Sequence, residues 1–376
     1  MRILILSFSD LQKDARVNRQ INSIVKLGFQ VSVVALSEPL ATVNQFFHVH
    51  RKKVFEFKSL FYFLTKQFTK LYFEKNIIKQ TLKLPLKNFN FILANDLETL
   101  PLALKIKGDA KVIFDAHEYS PREFEESWTW RLIKQSYNTY LCKAFISTVD
   151  SMMTVSSTLA NEYAKEFNIP KPVVVTNSPS YQDLKPSSNN PEVIRLVHHG
   201  FADPSRKIEE LIELMALLDK RFTLDLILIP INLNYFNYLK KLASKHASIF
   251  FINPLPLSSL ISYLNRYDAG LYFFKPQSFN TYNCLPNKFF DFIQARLAVF
   301  TGPFPEMQRY IEKYQMGVVH KDFSRQTFAQ TLNQLQPSDI ALMKENTNKA
   351  ALELSAEANE DQILSIINNL QRENFR

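Results

Sequence analysis

The sequence predicts an α/β protein of two doubly wound domains, each a parallel sheet with helices on both faces. Three observations point there. Short apolar runs of strand length alternate with segments of helical periodicity along most of the chain, and that alternation implies parallel strands joined by crossover helices. The chain has 376 residues, more than one hydrophobic core usually organises. One stretch near the middle, "SPSYQDLKPSSNNPE" (178–192), is rich in Ser, Pro and Asn and has no apolar period, the composition of a linker. Domains are therefore expected at 1–178 and 192–376, joined through 179–191. A return of the terminal helices to the first domain is left open. Two such domains facing one another would place the carboxyl ends of both sheets along one cleft, where ligands of this architecture bind.

"RILILS" opens the first domain as a buried strand; its apolar run is short and an acid follows at Asp10, so it does not read as a leader peptide. Val17, Ile21, Ile24 and Val25 recur at helical spacing over 14–27, and Gly28 supplies the stop. "QVSVVAL" is the second strand. Further strands are expected at "NFILAN", "AKVIFDAH", "SMMTVS" and "PVVVTN", with helices near 98–107, 126–147 and 156–167. Beyond the linker the alternation restarts with "VIRLVHHG", a helix at 206–219, "TLDLILI", a helix at 234–246, "SIFFINP", a short helix at 257–266 and "AGLYFF". A helix from Pro286 and a strand from Leu297 to Phe300 come next, followed by mostly helical sequence. The two halves repeat an architecture without repeating a sequence.

Composition narrows the classes of function. No segment approaches ~18 uninterrupted apolar residues, the length of a membrane-spanning helix. Cys142 and Cys284 form neither a disulfide framework nor a metal-ligand spacing, which suits a reducing cytoplasm. The net charge of +9 is concentrated: residues 51–88 carry ten Lys/Arg against Glu56 and Glu74. Within that stretch 57–84 reads as one amphipathic helix. Leu60, Leu64, Phe68, Leu71, Tyr72, Ile78 and Leu82 share one face, and Lys66, Lys70, Lys75, Lys79 and Lys83 the other. Such a helix suits an anionic membrane surface; a helix packed on its own domain with solvated lysines has the same pattern. No nucleic-acid-binding motif accompanies it, so nucleic acid is not an expected partner.

Three constellations carry chemistry. In "LVHHGFADPSRKIEELIELM" a strand ends at His199-Gly200 and a helix is expected to begin near Ser205-Arg206-Lys207. A glycine-bearing loop with two cations at a helix N-terminus suits a phosphate; a solvated first turn is the alternative. In "CLPNKFFDFIQARLAVFTG" (284–302), Pro286 starts a helix with Asn287 and Lys288 at its entrance and Asp291 one turn inside. Asp291 could accept two ribose hydroxyls, as an acid does in dinucleotide folds, and Lys288 could reach a diphosphate. An ordinary capped amphipathic helix is the alternative. In "KVIFDAHEYSPREF" (111–124), Asp115, His117 and Glu118 gather where a strand leaves the carboxyl edge of a sheet, a usual place for a functional cluster.

In their order and spacing, these segments together with "DARVNRQINSIVKLGFQVSVVAL", "ANDLETLPLAL", "MTVSSTLANEY" and "VVVTNSP" resemble retaining glycosyltransferases of the GT-B fold, in the family-4-like bacterial branch that builds surface polysaccharides. The likeness spans nearly the whole chain. It implies two Rossmann-like domains, the second holding a nucleotide-diphosphate sugar and the first a glycan or lipid-linked acceptor. It implies that Asp291 holds the nucleotide ribose as the second acid of the family's acid pair, and that Asn283 stands where the first acid, which holds sugar hydroxyls, is usual. Arg206 matches the cation that neutralises the diphosphate near Gly200. Phe201 replaces the family's other arginine, so Lys288 or Lys207 must supply the second positive charge. His117 matches an acceptor-side histidine near the reacting carbon. No Asp-x-Asp metal motif is present, so neither an obligatory metal nor a further cofactor is expected. The implied place of work is the cytoplasm, at the inner face of the cell membrane. Two other readings keep the fold: a nucleotide-sugar epimerase or hydrolase, and a catalytically silent scaffold of a polysaccharide assembly, prompted by Asn283 and Phe201.

Overall fold

The computed structural model describes residues 1–52 and 57–373, so Lys53 and Glu56 of the basic stretch lie outside the described residues. The chain forms two compact units. The first comprises Met1–Thr176, Ser278–Thr281 and Asn359–Arg376, and the second Asn177–Gln277 and Tyr282–Ala358.

Seven parallel strands build the first unit: β1 (Arg2–Leu6), β2 (Gln30–Ala35), β3 (Gln45–His48), β4 (Phe91–Asn95), β5 (Lys111–Ala116), β6 (Ser151–Thr154) and β7 (Val173–Val174), in the order β3-β2-β1-β4-β5-β6-β7. Successive residues of its central strands enter two different cores. Ile3, Ile5, Leu93 and Ile113 pack with Val17, Ile21 and Ile24 of the helix Ala15–Lys26. Leu4, Leu6, Ile92 and Phe114 pack on the opposite side. That is why these strands read as unbroken apolar runs instead of alternating ones. Ile363, Ile366, Ile367 and Leu370 of the helix Ala356–Glu373 also belong to the first of these cores.

The second unit holds six parallel strands: β8 (Ile194–Phe201), β9 (Phe222–Ile229), β10 (Ile249–Ile252), β11 (Ala269–Tyr272), β12 (Ala298–Thr301) and β13 (Gly317–Val319), in the order β10-β9-β8-β11-β12-β13. The helix Asn287–Gln294 lies flat on this sheet, with Phe289, Phe290, Phe292 and Ile293 buried in its core. Gly270 on β11 makes the close approach feasible, because a Cβ there would stand 2.2 Å from Cγ of Phe292. In each sheet the strand order reverses once, between β1 and β4 and between β8 and β11, and a crevice opens at such a reversal.

Several elements differ from expectation. The single helix expected over 57–84 is three: Phe57–Leu64, Phe68–Glu74 and Asn76–Thr81. Lys66, with φ +54°, and Lys75, with ψ 133°, break it. Its apolar residues divide accordingly, with Phe68, Tyr72 and Ile78 in the core and Leu60, Leu64 and Leu82 exposed. The helix expected at 206–219 runs only over Glu209–Met215. That at 126–147 contains a five-residue π-helical stretch, Arg131–Gln135. Strands β3 and β13 were not foreseen; four and three residues long at sheet edges, they are too short to display a period. Among the described residues, no helix is long and apolar enough to cross a membrane.

Candidate functional site

The constellation in the second unit forms at the reversal between β8 and β11. His198 and His199 end the apolar part of β8, and Gly200 follows with φ +131°, a backbone conformation that side chains rarely tolerate. This bend faces Lys288, since a Cβ on Gly200 would lie 3.3 Å from the lysine Nζ. Lys288 sits in the first turn of the helix Asn287–Gln294. Its ammonium is 3.0 Å from Nε2 of His198 and 5.5 Å from the centre of the Tyr272 ring. Nδ1 of His198 is 2.8 Å from the carbonyl of Leu271.

Positive charge gathers in this site. Burial, reinforced by the neighbouring Arg206, brings Lys288 down to about 7, against smaller opposing effects of Cys284 and Asp291. Burial and then Lys288 hold both histidines neutral, His198 well below its ordinary range and His199 at about 3. Asp291 lies one turn inside the helix, its Oδ2 3.5 Å from Nε2 of His199; because that ring is neutral, the contact is not an ion pair.

Arg206 occupies a different local setting from the one expected. It ends a 3-10 turn, Pro204–Arg206, that Asp203 caps through Ser205 N–H at 2.9 Å. Lys207 then turns left-handed, with φ +50°, before the helix begins at Glu209 with two acids in its first turn. Those acids, and not the two cations, complement the helix dipole. The conflict between cations and dipole therefore disappears, and with it that particular reason for anion binding. What remains is an exposed guanidinium close enough to Lys288 to depress it. Asn287 is exposed at the helix start, Asn283 is buried just before it, and Phe201 ends β8 with its ring 40% exposed.

In the first unit a polar network is buried beneath the carboxyl ends of β4 and β5. Asp115 is fully buried and accepts a two-pronged bond from Arg16, at 2.8 Å from Nε and 2.7 Å from Nη2. It also accepts from Gln20 and meets Nε2 of His117 at 3.1 Å. Nδ1 of His117 is 3.2 Å from Asp96, a residue held at φ +62° in the turn after β4. Burial alone would push His117 down, yet the carboxylates of Asp96 and Asp115 overcome it and raise the imidazole to about 10. Burial would likewise raise Asp115, but Arg16 and His117 hold it well below the usual carboxylate range. His117 is thus an imidazolium with both ring N–H groups committed to carboxylates. In that setting it carries positive charge. Glu123 nearby is pushed up to about 7, first by burial and then by Glu118 and Asp96.

The structure brings Gly200, Lys288 and Asp291 to one end of the second sheet, with Arg206 beside Lys288. It places His117 in the first unit. Sequence reasoning missed Arg16, Gln20, Asp96 and His198. A usable signal existed for Arg16: an acid following "VIF" on an internal strand must find a cation or a set of donors.

No family model and no curated protein sequence matches the chain. Solved structures do match along essentially its full length. Sucrose-phosphate synthase from Thermosynechococcus elongatus superposes with a TM-score of 0.73 at 12% identity, covering 99% of each chain. WaaG, a glycosyltransferase involved in lipopolysaccharide biosynthesis, matches with 0.64 at 15% identity over 96% of this chain and 99% of its own. HepE from Anabaena, solved with UDP-glucose, matches with 0.68 at 12% identity over 98% and 100%. These likenesses establish the fold: the chain has the GT-B architecture of two Rossmann-like parallel-sheet domains.

Proposed function

We propose that the protein is a retaining glycosyltransferase that moves a sugar from a nucleotide-diphosphate sugar to a glycan or lipid-linked oligosaccharide. The observation that carries this reading is the pair of cations, Lys288 and Arg206, beside the Gly200 bend at the strand-order reversal of the second sheet, with Asp291 one helical turn away. Two cations brought close enough for one to depress the other, with Asp291 only a small opposing influence, favour an anionic ligand. A carboxylate at one turn's distance can take the hydroxyls of the attached ribose. The neighbours described above add support, since one of them was solved with UDP-glucose.

In this reading the bond between sugar and diphosphate loosens first, and the charge that develops on the departing diphosphate falls to Lys288 and Arg206. The sugar carbon becomes oxocarbenium-like, and the acceptor hydroxyl enters on the face the diphosphate leaves. The reading assigns the acceptor to the first unit, where the His117 imidazolium holds positive charge beside the sheet edge. It requires no metal to take up the diphosphate charge. It also places the protein in the cytoplasm at the inner membrane face, supported by Lys58, Lys66 and Lys70 alongside exposed Phe61 and Leu64.

A screen of nucleotide-sugars for thermal stabilisation, followed by product analysis with and without EDTA, tests the proposal. One donor should raise the melting temperature by mass action and be consumed only when a glycan acceptor is present. Turnover of donor alone would mean an epimerase or hydrolase. Stabilisation with no turnover under any acceptor would mean a silent scaffold.

A further inference from the structure

We propose that His198 is a positioning residue of the diphosphate site: as a neutral imidazole it fixes the ammonium of Lys288 at the Gly200 bend while leaving the lysine's charge free for a phosphate. The proposal rests on the diphosphate reading given above and adds a residue that the reading does not contain.

Hydrogen-bond directions define the state of the ring. The Leu271 carbonyl, 2.8 Å from Nδ1, can only accept, so Nδ1 carries the proton. In the neutral ring Nε2 then presents a lone pair, and the ammonium of Lys288, 3.0 Å away, donates to it. A doubly protonated His198 would set two cations against each other at that distance in a site with His198 only 4% exposed. Burial and Lys288 both hold the imidazole neutral.

The choice of a histidine has a consequence that a carboxylate partner would not have. Aspartate or glutamate would also fix a lysine on its flexible four-carbon stem, but it would cancel the charge a phosphate needs. A neutral acceptor fixes the position and leaves the charge. The other groups facing Lys288 are the Arg206 guanidinium, the Tyr272 ring, Cys284, neutral His199 and Asp291 of its own helix. Arg206 repels the ammonium, and Asp291 is only a minor opposing influence. A phosphate arriving beside Nζ therefore supplies a strong counter-charge, and the lysine takes up a proton as it binds.

Two substitutions separate the functions of the ring. His198→Gln places an oxygen near the Nε2 position and keeps the acceptor for Lys288. His198→Asn keeps the donor to Leu271 and loses the acceptor. Binding of UDP, ADP, GDP and inorganic pyrophosphate to the full chain is measured by calorimetry from acid to alkaline pH, in buffers of different ionisation enthalpy. In the parent, the tightest of these should bind with proton uptake and weaken as pH rises past neutrality. His198→Asn should bind it roughly five- to tenfold more weakly, the usual worth of one hydrogen bond, with the alkaline fall moved downward, because the ammonium loses an acceptor that favours its charged form while burial and Arg206 still oppose it. His198→Gln should stay near the parent in both respects. Equal weakening of the two variants with an unmoved pH profile would make His198 merely structural and overturn the proposal, as would parental affinity in both. A parent that binds none of the four probes would overturn the diphosphate reading itself.

Discussion

At Asp291 a carboxylate stands one turn inside a proline-started helix, 3.5 Å from the ring of His199, which burial keeps neutral. The contact with that neutral imidazole is not an ion pair. Removing the carboxylate's charge without changing its shape isolates its part in ligand binding. Asp291→Asn is expected to weaken binding of the nucleoside diphosphate by about 1.5–3 kcal/mol, the range for hydrogen bonds to a charged group. Calorimetry on a variant with a parental melting temperature checks it, and unaltered affinity would remove Asp291 from the ribose site. At this scale the sequence disclosed residue identities better than their surroundings. "PNKFFD" displays its cation and acid, but nothing local in "VHHG" says that one histidine holds Lys288 from the opposite side of the site. The two are 90 positions apart, so the contact exists only once β8 and the helix share a sheet.

The helix Asn287–Gln294 carries Lys288 and Asp291 only as accurately as it is seated, and its seat is the bare backbone of Gly270. A methyl group there would overlap the Phe292 ring, whose Cγ would be 2.2 Å away. Overpacking of this kind costs about 1–3 kcal/mol. Gly270→Ala should therefore lower stability by that order and also weaken nucleotide binding, although Gly270 itself touches no ligand in this reading. Urea unfolding together with nucleotide titration distinguishes the two effects; a variant less stable but with full affinity would mean that helix position does not govern the site. The long apolar elements were legible because both faces of each sheet are covered, whereas the lysine-rich segment misled. Its helical period over 57–84 is genuine in sequence, yet Lys66 in a left-handed turn and extended Lys75 divide it. The division also alters the expected membrane contact. Lys75 pairs with Glu98 at 3.5 Å and Lys79 with Glu74 at 2.5 Å, which leaves Lys58, Lys66 and Lys70 exposed beside Phe61 and Leu64. Near an anionic bilayer each cation contributes about 1 kcal/mol. Changing Lys58, Lys66 and Lys70 to Gln should release the protein from phosphatidylserine vesicles at low salt, while Lys79→Gln should not. A parent that ignores such vesicles overturns the membrane reading.

Across the whole molecule the two buried charge systems respond to pH in opposite senses, and each lies within its own unit. His117 is raised from 6.5 to about 10: burial works against the shift, and Asp96 and Asp115 outweigh it. Its folded state keeps a proton that the unfolded chain releases near its ordinary value, so its stabilising contribution is complete below pH 6.5 and is lost as pH rises towards about 10. Lys288 is lowered from 10.5 to about 7 by burial and Arg206. There the unfolded chain binds more protons than the folded one throughout that interval, so rising pH favours the folded second unit. Both tryptophans, Trp128 and Trp130, belong to the first unit, and Trp130 rests against Phe124. Tryptophan fluorescence therefore follows the first unit. A scan between about pH 7 and 8.5 stays below the ordinary range of tyrosine and only reaches that of cysteine, so buried Cys142, and Glu123 raised to about 7, add a smaller fall that His117→Gln retains. Over this window the tryptophan-reported stability in urea should fall by about 1–2 kcal/mol, the worth of up to one proton over 1.5 pH units. His117→Gln, which cannot titrate, should start less stable at pH 7 and show a flatter profile. Lys288→Met should leave the tryptophan-reported slope unchanged, because its titration belongs to the other unit. If the parent and His117→Gln fall in parallel, the imidazolium between Asp96 and Asp115 is not the source of the alkaline sensitivity, and His117 loses the permanent charge on which its acceptor-side role depends.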